Sequence, residues 1–166
     1  MKLIGLVTVF TVCTCAGFIK ANGYKRSENE LRAFLELVYF IKREISSYLT
    51  PQHEIYRKFS NPVLEKNGFL HSLVRISDNG TQRPLYHVLE CRRSFLTVTD
   101  EAFNVLSDFS SELGTLSTYD ECQRCDRTAI ELEEILQRQK EETGQKATLC
   151  KSIGSLVGIG LVLLLW

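Results

Sequence analysis

Residues 31–48 read LRAFLELVYFIKREISSY. Leu31, Phe34, Leu35, Val38, Ile41, Ile45 and Tyr48 recur at steps of three and four, which puts them on one side of a helix. Just upstream, Ser27-Glu28-Asn29-Glu30 has the form of a capping box, so the spacing predicts a helix start there. The helix is expected to stop at Thr50-Pro51, because a residue before proline is pushed out of helical space. A helix with one apolar side must bury it, and this one sets the class of the fold.

Downstream, the same pattern repeats in shorter pieces. Pro51 suits the first turn of a second helix, with Thr50 as its N-cap and Ile55 and Phe59 buried. Asn61-Pro62 opens another stretch, with Val63, Leu64, Phe69, Leu70, Leu73 and Val74 as its apolar set and Gly68 as a weak point. Ser77-Asp78-Asn79-Gly80-Thr81-Gln82 is a loop with Asn-Gly as its turn dipeptide. Pro84 then begins a helix carrying Leu85, Val88, Leu89 and Cys91. Thr99 caps the next, where Asp100 and Glu101 favour the positive end of the helix dipole. Ala102, Phe103, Leu106, Phe109 and Leu113 form its apolar side, and Gly114 ends it. The last helix starts at Ser117-Thr118-Tyr119-Asp120, with Cys122, Cys125, Ala129, Leu132 and Leu136 as a narrow 3,4-spaced seam. The fold class is all-α: a compact bundle of about six helices.

The 166 residues carry 20 Lys+Arg against 20 Asp+Glu, and a single domain is the expectation for that length. A net charge of zero and a pI near 6.8 argue against nucleic acid as a partner. The ends are apolar. Leu3 to Ile19 holds no charge, and Lys20, Lys25 and Arg26 follow it before any acid. Ile153 to Trp166 is a second uncharged run, preceded by Lys146 and Lys151. By the positive-inside rule both basic flanks keep the middle of the chain in the cytoplasm. The expected organisation is an N-terminal transmembrane anchor at 1–19, a cytoplasmic bundle at 20–151 and a C-terminal transmembrane helix at 152–166. Gly154 and Gly158 form a GxxxG that would let membrane helices pack closely. A cleaved signal peptide ahead of an exported protein with disulfides is the alternative, since six cysteines and the sequon Asn79-Gly80-Thr81 fit secretion.

Chemistry-bearing motifs are sparse. Cys122-Gln123-Arg124-Cys125 is a lone CxxC. With His87 and Cys91 from another helix it would give four zinc ligands, and hence a zinc-dependent regulator. Cysteines on apolar stripes are more often small core residues. The sequence holds no P-loop, GxGxxG or HExxH, so neither a cofactor nor catalytic residues are expected. Charge is unevenly spread: residues 20–99 hold 13 basic and 8 acidic side chains, whereas 100–151 hold 6 and 12. Glu131, Glu133, Glu134, Glu141 and Glu142 on the last helix form either a solvated face or a docking face for a basic partner. That partner would be another protein or the basic half of a second copy.

Four stretches carry a resemblance over nearly the whole chain: the opening MKLIGLV, EISSYLTPQHE at 44–54, SELGTLSTYDECQ at 111–123 and KSIGSLVGIGLVLLL at 151–165. Their order and spacing resemble the stage III sporulation protein AB family. The resemblance implies a membrane protein of the mother cell, at the outer forespore membrane of an endospore former. It implies membership of the IIIA channel assembly, and a helical domain similar to secretion and pilus platform proteins. It implies a scaffold without enzymatic activity that couples a cytoplasmic assembly ATPase, the AA protein, to the membrane channel. Six cysteines exceed what that family leads one to expect.

Overall fold

In the computed structural model the described backbone runs from residue 2 to 165 apart from 49 and 116, and the described side chains are those of 23–48, 50–115, 117–142 and 144. Among the described residues seven α-helices and one 3-10 turn follow in order: α1 (Lys2–Tyr48), α2 (Gln52–Lys58), α3 (Pro62–Lys66), α4 (Phe69–Asp78), α5 (Pro84–Cys91), the 3-10 turn (Arg93–Phe95), α6 (Asp100–Glu112) and α7 (Thr118–Leu165). No strand occurs among the described residues, so the all-α expectation holds. The chain divides into two units, Ser27–Gln137 and the pair of segments Met1–Arg26 and Arg138–Trp166.

The first unit is a helical bundle. Its core takes Leu31, Phe34, Leu37, Val38 and Ile41 from α1 and Cys125, Ala129, Leu132 and Leu136 from α7. The same core takes Ile55 and Tyr56 from α2, Leu64 from α3, Phe69 and Leu73 from α4, Val88 and Leu89 from α5, and Leu106 and Phe109 from α6. Phe34 and Phe69 meet edge to face with ring centroids 5.0 Å apart, an arrangement the ring quadrupoles favour. Each fully buried Leu or Phe contributes about 1.5–3 kcal/mol, so a core of this size can outweigh the entropy of ordering five short elements.

The punctuation follows the sequence in most places. Asn61 accepts from the amides of Val63 and Leu64, with Pro62 at the first helical position. Thr99 accepts from the Ala102 amide at the head of α6. Ser117 Oγ accepts from the Asp120 amide at the head of α7. Gly68, at φ 74°, divides its stretch into α3 and α4.

Four expectations are corrected. Ser27 does not begin a helix, because α1 is already continuous from Lys2; helical amides there are donated within the helix and need no side-chain cap. Tyr48 lies outside the core at 69% exposure, one position before the helix gives way. Pro51 itself occupies the N-cap of α2, while Thr50 donates its hydroxyl back to Glu44 Oε2 at 3.0 Å. Cys91 is exposed at the end of α5.

Candidate interaction surface

Among the described residues the polar groups that organise the bundle are carboxylates at apolar registers. Glu30, 1% exposed, falls four residues before Phe34 on the buried side of α1. It accepts from Asn67 Nδ2 at 2.6 Å, from the Thr97 amide at 2.5 Å and from Thr97 Oγ1 at 2.7 Å. Asn67 in turn accepts from the Phe69 amide, and its carbonyl accepts from Arg92 Nη2 at 2.6 Å. One buried acid thereby ties α1 to the α3–α4 junction and to the segment before α6. Glu44, also buried, accepts from Thr50 Oγ1 and pairs with Lys58 at 3.5 Å. Glu121 of α7, 3% exposed, accepts from the amides of Gly114 and Thr115 at 2.8 and 3.1 Å. All three long-helix glutamates accept from donors outside their own helix and so find partners for their buried oxygens.

With the reversals held, α1 and α7 lie antiparallel and are bridged twice across solvent-facing edges. Tyr39 Oη donates to Glu133 at 2.7 Å and Lys42 Nζ to Asp126 at 2.5 Å. The hydrogen bond to Glu133 raises the Tyr39 pKa above 10.0, aided by burial and the carboxylate charge. The bond to Asp126 raises that of Lys42 above 10.5 against the opposing effect of burial.

These bridges sort the expected acidic face. Glu133 is turned toward α1 and engaged there, whereas Glu131 and Glu134, three apart on one side of α7, are exposed and make no ion pair or hydrogen bond among the described residues. Ile130 beside them is 56% exposed, an apolar side chain in an otherwise charged surface. Glu141 and Glu142 are exposed, belong to the other unit and each have an interaction of their own. On the bundle, Glu131 and Glu134 stand exposed and without a partner among the described residues, beside the exposed Ile130. Sequence spacing alone did not reveal Tyr39, Lys42 and Asp126 as the pieces that sort the acids, though all three occupy polar positions next to the seam.

The candidate metal ligands fare differently. His87 and Cys91 are exposed on α5, Cys122 is half-buried and Cys125 is buried on α7. Burial, followed by the Glu121 charge, pushes the Cys125 thiol up to about 12, so it stays protonated and packs as a small hydrophobe. No group of three His, Cys, Asp or Glu suited to a metal occurs among the described residues. Cys91, Cys122 and Cys125 are free thiols. An open cleft lined by Arg43, Glu44, Tyr48 and Lys58 is charged rather than apolar, unlike the usual small-molecule pocket.

Gly154 and Gly158, like Cys13, Cys15 and Cys150, lie outside the residues whose side chains are described. Among the residues whose side chains are described no helix is long and apolar enough to cross a membrane; the runs 3–19 and 153–166 fall outside that set.

The family model for stage III sporulation protein AB matches residues 2–166. A solved structure of stage III sporulation protein AB (SpoIIIAB) superposes with a TM-score of 0.61 at 16% identity, covering 72% of this chain and 97% of that one. At that identity the likeness is one of fold. No curated protein matches the chain.

Proposed function

From the premise that this chain belongs to the stage III sporulation protein AB family, and so has a sporulation role, we propose that it is a two-span scaffold of the mother-cell membrane. In this reading residues 3–19 and 153–166 span the bilayer, and the bundle faces the cytoplasm. The bundle gathers other sporulation proteins of the IIIA assembly, a cytoplasmic assembly ATPase among them, and performs no reaction of its own.

One observation carries the reading. α1 and α7 each run without a break through an apolar terminal stretch and a stretch of bundle core. A helix that serves both purposes links a membrane anchor to a cytoplasmic domain through backbone hydrogen bonds rather than through a loop. The partner side of the reading is supported by the exposed Ile130 beside Glu131 and Glu134, an apolar anchor next to charges that select a basic partner.

Topology is the deciding test. Single cysteines placed at Asn79 and Ser117, both exposed, in a background with the native cysteines replaced, should resist a membrane-impermeant thiol reagent until the cells are permeabilised. Labelling of intact cells would overturn the scaffold reading in favour of an exported protein. The partner face has its own test: Glu131→Lys with Glu134→Lys should lower co-purification of the ATPase at least several-fold, and unchanged recovery would remove that face from the proposal.

A further inference from the structure

The two cysteines of the CxxC stand differently in α7, and the scaffold reading uses neither. Cys122 is half-buried at the edge of the seam, partly open to solvent. Cys125, 1% exposed, belongs to the hydrophobic core. Both are free thiols. Packing as a small hydrophobe accounts for Cys125, but not for a thiol at a partly wet position. Because α7 is unbroken from Thr118, the helix itself fixes how far apart the two residues lie. Three residues rise ~4.5 Å and turn through roughly 300°, which sets the Cα atoms about 5 Å apart. That separation falls inside the roughly 4.4–6.8 Å that a disulfide spans. The Cβ atoms, about 5–6 Å apart at this spacing in an α-helix, must approach to roughly 3.8 Å for the bond to form. Tightening the turn toward 3-10 winding brings them together, since residues i and i+3 eclipse there. Cys122 lies in the second turn of α7, close to the helix start where such winding is common.

We propose that Cys122 and Cys125 form a reversible thiol–disulfide site whose co-substrate is a low-molecular-weight disulfide of the glutathione class. The Cys122 thiolate, its proton released to water, attacks one sulfur of the small disulfide. A mixed disulfide forms at Cys122, the small molecule's own S–S bond breaks, and one thiolate departs and takes a proton from water. Cys125 then attacks Cys122 Sγ, and its proton goes to the second departing thiolate. Two protein thiols and one small disulfide thus become one protein disulfide and two small thiols: the cysteines are oxidised and the small disulfide is reduced. Exposure sets the order. Only Cys122 is open to a reagent in solution, whereas Cys125 is buried, with its thiol pushed up to about 12. An attack within one helix turn offsets the small thiolate share of Cys125 by its high effective concentration. Excess small thiol runs both steps backward. Cys91, exposed on α5 with no cysteine one turn away in its helix, stops at the mixed disulfide. The site stands independently of the sporulation scaffold reading.

The test treats the full chain in detergent micelles with oxidised glutathione, blocks the remaining thiols with N-ethylmaleimide in denaturant, and digests with trypsin. Arg124 separates the two cysteines and no Lys or Arg lies between Arg93 and Arg124, so Cys122 and Cys125 fall on the peptides 94–124 and 125–127. These two peptides should come out joined by a disulfide, with a several-fold loss of their separate maleimide-capped forms. Excess reduced glutathione, added before the blocking step, should restore the capped forms. The proposal is overturned if both cysteines are capped by maleimide, if Cys122 stays as a glutathione adduct or joins another cysteine, or if the joined pair resists reduced glutathione. Two variants check the order of attack. Cys125→Ala should trap the glutathione adduct on Cys122, because nothing remains to displace it. In Cys122→Ser, Cys125 should carry maleimide alone. No adduct on Cys122 in the first variant, or an adduct on Cys125 in the second, contradicts the assigned roles and sinks the site as drawn.

Discussion

Glu30 occupies a position where helical spacing calls for an apolar side chain, and its three donors explain why a carboxylate is kept there. Removing it takes the acceptor from Asn67 Nδ2 and from the amide and hydroxyl of Thr97, all partly buried. Glu30→Ala should therefore cost roughly 3 kcal/mol, measured as a shift in urea midpoint, while Glu131→Ala at the exposed surface should stay within about 0.5 kcal/mol. A smaller loss for Glu30 than for Glu131 would show that the network does not hold the reversals. Cys125 makes a second point at this scale. Its thiol titrates at 9.0 when unfolded and at about 12 when buried. Between those values the unfolded chain has given up a proton that the folded chain retains, so stability falls as pH rises above 9.0. Tyr56, also raised by burial, adds in the same direction above 10.0, and the Lys42–Asp126 contact is lost as Lys42 deprotonates above 10.5. Comparing urea midpoints at pH 8 and pH 10, Cys125→Ala should lose less than the parent chain. An equal drop in both would place the alkaline transition elsewhere.

Element by element, the prolines, glycines and caps were the most readable features, because each acts through its own backbone. Asn61-Pro62, Pro84, Thr99 and Ser117 mark helix starts where local chemistry says they should. The failures have one cause, which is tertiary context. Ser27-Glu28-Asn29-Glu30 has capping chemistry, but α1 passes through it, since a capping box stabilises a start without creating one. Glu30 read as part of that box, whereas the folded chain uses its side chain to bind Asn67 and Thr97. The candidate surface was legible as a run of acids and illegible as a geometry: nothing local to α7 says that Tyr39 engages Glu133 and leaves Glu131 and Glu134 open. Gly114 tests the element scale directly. At φ 87° an added methyl group meets backbone strain, and it lies 3.4 Å from Gln52 Nε2. Gly114→Ala should destabilise by about 1–2 kcal/mol. Combining it with Gln52→Ala should not restore the loss, because the strain resides in the backbone; full recovery in the double variant would instead assign the cost to the contact with Gln52.

For the whole molecule, the division into Ser27–Gln137 and the two terminal segments makes separable predictions about folding and assembly. The described core draws its side chains from Leu31 to Leu136, so the bundle has a hydrophobic core of its own with which to fold. A fragment spanning 27–142 should unfold in one cooperative urea transition, with coincident fluorescence and circular-dichroism curves. Residues 153–166 are a different matter. If they cross the membrane beside another helix, the pair approaches through Gly154 and Gly158, where any larger side chain holds the backbones apart. Gly158→Leu in the full chain should then leave the unfolding of the bundle unchanged and reduce recovery of membrane complexes with other sporulation proteins. The two readouts keep the causes apart. A destabilised bundle in Gly158→Leu would mean that the C-terminal segment supports the fold, and intact complexes would mean that close helix packing at Gly158 is not what assembles them. Only loss of complexes with a normal bundle fits a scaffold whose domain folds by its own core and whose membrane segments serve assembly.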